Sequence, residues 1–262
     1  MNDDFLYRTP APLGGKRLFR LGLAANYGID ETGVRTAMDR GVNTFLWTMR
    51  AKGLGNPLRE ALRTRRDTVA LIGYAKLGWF GWGVRRGAES LLRDLGTDYL
   101  DTYLLGWVGV GAAYTRSTER ELLHLRESGK VRSIGVSIHD RARAGRLAAE
   151  SPLDLLMIRY NAAHPGAERD IFPHRRGDRP TVLAYTATAW RRLLKRPAGW
   201  DGPVMTAGDC YRFQLSSPHV DLALTGPANT SEVVANLDAL EKGPLTPDED
   251  RWMRDFGRAV HG

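Results

Sequence analysis

Short apolar runs alternate with amphipathic helical stretches along most of this chain. The runs Leu18 to Ala25, Thr44 to Thr48 and Val69 to Tyr74 carry too little polarity to leave a face in water, the pattern of strands buried on both sides of a parallel sheet. Asp30 is placed to cap a helix over Glu31 to Arg40 that Gly41 stops. Asn56-Pro57 opens a second helix, the proline standing where its missing N–H costs nothing, and Val84 to Leu95 makes a third. The second half keeps the rhythm, with strands predicted at Tyr99 to Trp107, Val131 to Ser137, Leu155 to Asn161, Val182 to Ala187 and Leu222 to Gly226. Helices fall between and after them at Ser117 to Ser128, Arg141 to Glu150 (Asp140 as cap), Thr206 to Ser216 and Thr230 to Leu240. A last helix starts near Thr246, where Pro247-Asp248-Glu249 is a strong start signal. Residues 5–16, with Pro10, Pro12 and Gly14-Gly15, read as a short hairpin capping the bottom of something larger.

Eight strand and helix units in about 250 residues is the arithmetic of a TIM barrel. The expectation is an α/β fold, a (β/α)8 TIM barrel with a short N-terminal hairpin and an extra C-terminal helix, residues 1–262 forming one domain. In such a barrel function sits at the C-terminal ends of the strands. Those ends here carry Tyr74 to Lys76, Trp107, Ser137 to Asp140, Tyr160 to His164, Tyr185 and Thr225 to Pro227, a set rich in aromatics and hydroxyls and poor in carboxylates.

Composition narrows the class. The single cysteine, Cys210, excludes an internal disulfide and a multi-cysteine metal site, and suits a reducing cytoplasm. The net charge of +8 comes from arginines spread over helical segments, such as Arg35, Arg59 and Arg85, rather than from a basic stripe interleaved with aromatics, so nucleic acid is not an expected partner. The N-terminal MNDDFLYRTPAP lacks a signal pattern and no apolar run approaches about 18 residues, so no membrane association is expected. A cytoplasmic protein acting on a small molecule, with no metal, is the default. Asp209 and Arg212, three apart on a helix, read as a local ion pair.

Several strings in this order resemble the aldo-keto reductases. LGTDYLDTYLLGW (Leu95 to Trp107) is similar to that family's LGxDYxDLYxxHW, GVNTF (Gly41 to Phe45) to GxNxFDTA, and GKVRSIGVS (Gly129 to Ser137) to GKxRxIGVSN. RYNAAHPGAERDIFP (Arg159 to Pro173) is similar to its YN…E…FP stretch, LAYTA (Leu183 to Ala187) to AYSPL, and TGPANTSEVVANL (Thr225 to Leu237) to the segment that holds the adenosine phosphate of NADP(H). The family reduces carbonyls with an Asp, Tyr, Lys and His tetrad. Carried onto this chain, those positions fall at Leu46, near Ala51, at Tyr74 or Gly73, and at Gly106, so the resemblance implies that the usual tetrad is lost. Tyr74 and Lys76 are the candidates left for proton transfer.

The resemblance also implies a nicotinamide cofactor, NAD(H) or NADP(H). Ser137 stands where a hydroxyl holds the carboxamide, Tyr185 where an aromatic ring stacks on the nicotinamide, and Gly226, Thr230, Ser231 and Asn236 along the phosphate segment. Ile138 and Met157 replace amide side chains of the family, and Glu232 stands about where an arginine often meets the 2′-phosphate, which disfavours NADP(H). Trp47, Trp79, Trp107 and Tyr160 are expected to wall a substrate pocket, and His139 to be a loop residue. Sequence leaves open which of Arg159 and Tyr160 faces the barrel. Three function classes follow: a divergent oxidoreductase acting on an activated or cyclic carbonyl or imine, a non-redox enzyme such as a cyclase, dehydratase or isomerase, or a catalytically silent binding protein.

Overall fold

The computed structural model describes residues 3–48, 51–75 and 78–261. A short helix, α1 (Asp3–Leu6), leads into an antiparallel hairpin of β1 (Tyr7–Arg8) and β2 (Leu18–Phe19). Arg20 then ends the hairpin. Its N–H donates to the Leu6 carbonyl, and its buried guanidinium donates to the carbonyls of Phe5, Val220 and Asp221. The apolar run read as one strand from Leu18 is therefore two, since a side chain needing carbonyls from separate segments interrupts it.

The barrel begins at β3 (Leu21–Ala24) and continues through α2 (Glu31–Asp39), β4 (Thr44–Trp47), α3 (Lys52–Thr64), β5 (Ala70–Ala75) and α4 (Gly81–Leu95). β6 (Leu100–Val108), α5 (Arg116–Glu127), β7 (Val131–Ile138), α6 (Arg141–Glu150) and β8 (Leu155–Arg159) follow. The last units are α7 (Ala167–Asp170), β9 (Thr181–Tyr185), α8 (Ala207–Ser216), β10 (Leu222–Thr225), α9 (Thr230–Glu241) and α10 (Pro247–His261). Strands β3 to β10 pair in parallel, and β10 closes the barrel between β9 and β3. The predicted (β/α)8 barrel, its hairpin and its extra C-terminal helix are all present.

Local signals account for most helix starts. Asp30 accepts from Gly33 N–H at 2.9 Å and Asp140 from Arg143 N–H at 2.9 Å, while Thr246 and Glu249 cap each other at the start of α10. α3 and α4 start without a side-chain cap, α4 at Gly81 rather than Val84. α3 differs most. It begins at Lys52 rather than at Asn56, with Pro57 inside it. Arg212 also departs from the sequence reading: it is buried on the side of α8 that meets α10 and pairs with Glu249 at 2.7 and 3.0 Å, while Asp209 closes a capping box with Thr206.

Strand alternation divides the core in two. Leu46, Ile72, Leu104, Met157, Leu183 and Leu224 point inward and fill the barrel, with Leu13 and Leu18 of the hairpin segment below them. Phe45, Leu71, Tyr103, Val136, Ile158 and Ala184 point outward to the helices. At the bottom, Asp101 is fully buried at the start of β6, where its carboxylate meets Lys16 Nζ at 2.6 Å, Arg66 Nη1 at 2.7 Å and the Leu71 N–H at 2.9 Å. The Tyr99 ring lies between the guanidinium groups of Arg66, 3.7 Å from its centroid, and Arg132, at 4.1 Å. Among the described residues no helix is long and apolar enough to cross a membrane.

Candidate active site

The inward parity that buries Ile72, Gly135, Met157 and Leu183 carries one step further to the C-terminal mouth, where it delivers Tyr74, Ser137, Arg159 and Tyr185. Ser137 is buried, and its hydroxyl bears on both phenols. Burial raises the pKa of Tyr74 against the opposing effect of Ser137; burial, reinforced by Tyr74, pushes Tyr185 up to about 12. The Tyr185 hydroxyl meets His139 Nε2 at 2.6 Å. His139 has its pKa lowered, first by burial and then by Arg159, so its imidazole is neutral at pH 7.

Gly106 explains how Tyr74 fits. A Cβ at position 106 would stand 2.7 Å from Tyr74 Cζ and 2.7 Å from the Ala75 carbonyl oxygen. The phenol thus lies over the place where the family resemblance puts an imidazole. The next residue, Trp107, has φ 52°, a left-handed value costly for an aromatic residue. The β6–β7 register shifts at the same point, between Leu105 and Val108. This bulge re-aims the indole toward His139, with ring centroids 5.8 Å apart.

The segment after β9 is shaped by the same device. Thr186, Ala189, Trp190 and Arg191 all have positive φ, so Ala189 to Arg191 form a left-handed turn. It sets Trp190 against the Arg159 guanidinium, 5.6 Å from the ring centroid, and edge-on to His164. Two buried amides hold this wall. Asn161 donates to the Thr186 carbonyl at 2.8 Å and contacts His164 Nδ1 at 3.0 Å, and Gln214 of α8 donates to the Tyr160 carbonyl at 2.6 Å. α10 braces the same loop: a Cβ at Gly257 would stand 2.2 Å from the Ala162 carbonyl.

The turn from β10 into α9 is closed from within. Tyr27 lies across Gly226, where a Cβ would meet its ring at 2.4 Å. Glu232 reaches back to accept the Ala228 N–H at 2.8 Å, and its own N–H donates to the Asn229 cap at 2.9 Å. An amide that would otherwise face an anion at this helix start is thereby engaged by a carboxylate of the chain. Asn236 is buried and donates to Thr225 Oγ1 at 3.2 Å; Thr230 and Ser231 form the first turn of α9, Ser231 exposed.

Two expected pocket residues lie elsewhere. Trp47 follows inward-facing Leu46, so parity turns it outward, where its Nε1 donates to Asp94 at 3.1 Å and Arg59 covers its ring. Tyr160 is likewise outside the barrel, stacked on Phe213 and donating to Glu168 at 2.7 Å. Arg159 is the inward residue of that pair. Trp79 is exposed in the loop after β5, and Lys76 lies outside the described residues. Sequence reading missed His139 as a partner of Tyr185, and Asn161 and Gln214 as supports; buried amides next to strand ends were the available signal.

A parallel eightfold barrel with a phenol and hydroxyl cluster at its C-terminal mouth defines the class to which the comparisons then give a family. The sequence model of the aldo/keto reductase family matches residues 82–196. "Aldo-keto reductase YhdN" of Bacillus subtilis is 28% identical over 166 residues, covering 58% of this chain and 50% of the relative. "Methylglyoxal reductase YeaE" of Escherichia coli is 32% identical over 141 residues, 52% of this chain and 49% of the relative. In both alignments the chain spans about half the length of the relative. An aldo-keto reductase from Klebsiella pneumoniae solved in complex with NADPH shares the fold, with a TM-score of 0.77, 24% identity and coverage of 96% of this chain and 95% of that one. Over residues 82–196 the chain is similar to the aldo/keto reductase family, and it shares that family's fold along nearly its whole length.

Proposed function

We propose that the protein is a nicotinamide-dependent oxidoreductase whose substrate is an activated carbonyl or imine, with NAD(H) bound at least as well as NADP(H). The observation that carries this reading is the cluster of Tyr74, Ser137 and Tyr185 on the inner face at the barrel mouth, with the Tyr185 hydroxyl 2.6 Å from His139 Nε2. The fit to the cofactor is partial at one end: Ser137 offers a hydroxyl to the carboxamide and Tyr185 a ring beside it, while Ile138 and Met157 supply no amide hydrogen bonds, so binding is weak. At the other end Glu232 already holds the Ala228 amide and adds a negative charge, which suits a ribose hydroxyl better than a phosphate. The likeness to a methylglyoxal reductase, named for an activated 1,2-dicarbonyl, supports the same reading.

A bound nicotinamide would supply hydride. The side chains around it do the rest. Tyr74 and Tyr185, kept protonated by burial, donate hydrogen bonds to an oxygen on which negative charge develops, the Tyr185 oxygen accepting in turn from neutral His139 in its Nε2–H tautomer. Neither phenol is acidified, so the roughly 10²–10⁴-fold usually supplied by a tuned general acid is reduced. An already electrophilic carbon needs less of it. Ordinary aldehydes such as nitrobenzaldehyde are accordingly turned over slowly.

The test is a calorimetric titration of NADH and NADPH into the wild-type protein and Glu232→Arg. Wild type binds NADH as tightly as NADPH or more so, and the variant shifts the ratio toward NADPH by about tenfold, the scale of one charge-assisted hydrogen bond. Binding of neither cofactor would assign the barrel to a non-redox enzyme or a binding protein. An unchanged ratio in Glu232→Arg would place the adenosine phosphate away from α9.

A further inference from the structure

Arg159 ends β8 on the inner face, level with Tyr185 on β9 and one strand from the end of β7, after which His139 follows. It is half-buried. Other arginines sunk into this protein are satisfied from within: Arg20 by three carbonyls, Arg175 by Asp221, Arg212 by Glu249. Arg159 is not. Among the described residues its one contact is the Trp190 ring, which covers it without occupying an N–H. Its charge bears on His139 on one side and His164 on the other, and it is the leading charge at both imidazoles.

A half-buried planar guanidinium held against an aromatic ring, with no acid partner among the described residues, matches the two oxygens of a carboxylate through paired N–H donors. Trp190 is fixed there by a strained left-handed turn, so the stack is built into the backbone rather than left to a mobile surface chain. We propose that Arg159 anchors an oxyanion of the substrate, so that the compound reduced carries a carboxylate next to or near its reacting carbonyl or imine carbon. This assignment rests on the reading of the mouth as the active site and narrows the substrate class. The same chemistry has one other source, the cofactor's pyrophosphate, which the experiment separates.

Pyruvate and its uncharged counterpart butanedione are titrated into the wild-type protein, Arg159→Gln and Arg159→Lys, with Trp190-side fluorescence as the readout and no turnover required; NADH is titrated into the same three proteins. Thermal melting confirms that each variant is folded. Pyruvate binds wild type more tightly than butanedione does. Its affinity falls about tenfold or more in Arg159→Gln, as expected when a charge-assisted pair is lost, and recovers partly in Arg159→Lys, while NADH affinity is unchanged throughout. Equal pyruvate binding by wild type and Arg159→Gln, or no pyruvate binding by wild type, overturns the proposal. A loss of NADH affinity in Arg159→Gln without an effect on pyruvate also overturns it and gives the guanidinium to the pyrophosphate. If pyruvate binds through Arg159 and neither nicotinamide binds at all, the anion site stands and the redox reading falls.

Discussion

Gly106 shows how one missing side chain can reorganise a site. Its vacancy is filled by Tyr74, whose ring would meet any Cβ there at 2.7 Å. Restoring the family's imidazole by Gly106→His is therefore expected to overpack the mouth and lower stability by about 1–3 kcal/mol. Adding Tyr74→Ala should recover part of that loss, the rest remaining because the Ala75 carbonyl is also close. Urea unfolding of the two variants measures both numbers, and a single variant as stable as wild type would show that the ring is not the obstacle. The absence at 106 was legible in the sequence, because a nearby string gave it an address. The partner of the absence was not, since nothing in the order of residues says that a tyrosine on β5 leans over a glycine on β6.

At the scale of elements, sequence reading succeeded where the cause is local. Asp30, Asp140 and Thr246 cap the helices they were expected to cap, because the acceptor and the N–H it satisfies lie three residues apart. It failed where both faces of a strand are apolar. Thr44 to Trp47 and Leu155 to Arg159 carry no polar alternation to mark the inner face, so Trp47 was expected at the pocket and the choice between Arg159 and Tyr160 stayed open, whereas the barrel closes with Trp47 and Tyr160 outside. The left-handed turn after β9 was equally hidden, for Ala189, Trp190 and Arg191 include no glycine to announce it. Its conformation costs about 1–2 kcal/mol per residue. Arg191, exposed with φ 68°, is the place to relieve it: Arg191→Gly should raise stability by about 0.5–1 kcal/mol, the strain removed minus the added entropy of the unfolded chain. Denaturant midpoints decide this, and a loss would mean that the arginine side chain contributes more than its backbone costs.

Across the whole molecule the two ends of the barrel carry opposite polar designs. The bottom is closed by Asp101, whose buried carboxylate is matched by Lys16, Arg66 and a backbone N–H. At the mouth Arg159 lies against Trp190 with no acidic partner among the described residues. Asp101→Asn removes the only carboxylate among the described residues that faces Lys16, itself nearly buried, and is expected to cost about 3–5 kcal/mol, read as a lower urea midpoint at unchanged slope. A cost below about 1 kcal/mol would mean that water reaches the lysine. The eightfold alternation made the architecture readable from sequence, whereas this division of charge depends on which end of each strand faces which way. The contact between positions 74 and 106 also couples two strands. A side chain at 106 is accommodated only where the ring at 74 shifts or is shortened, so the effect of a substitution at either position depends on what stands at the other.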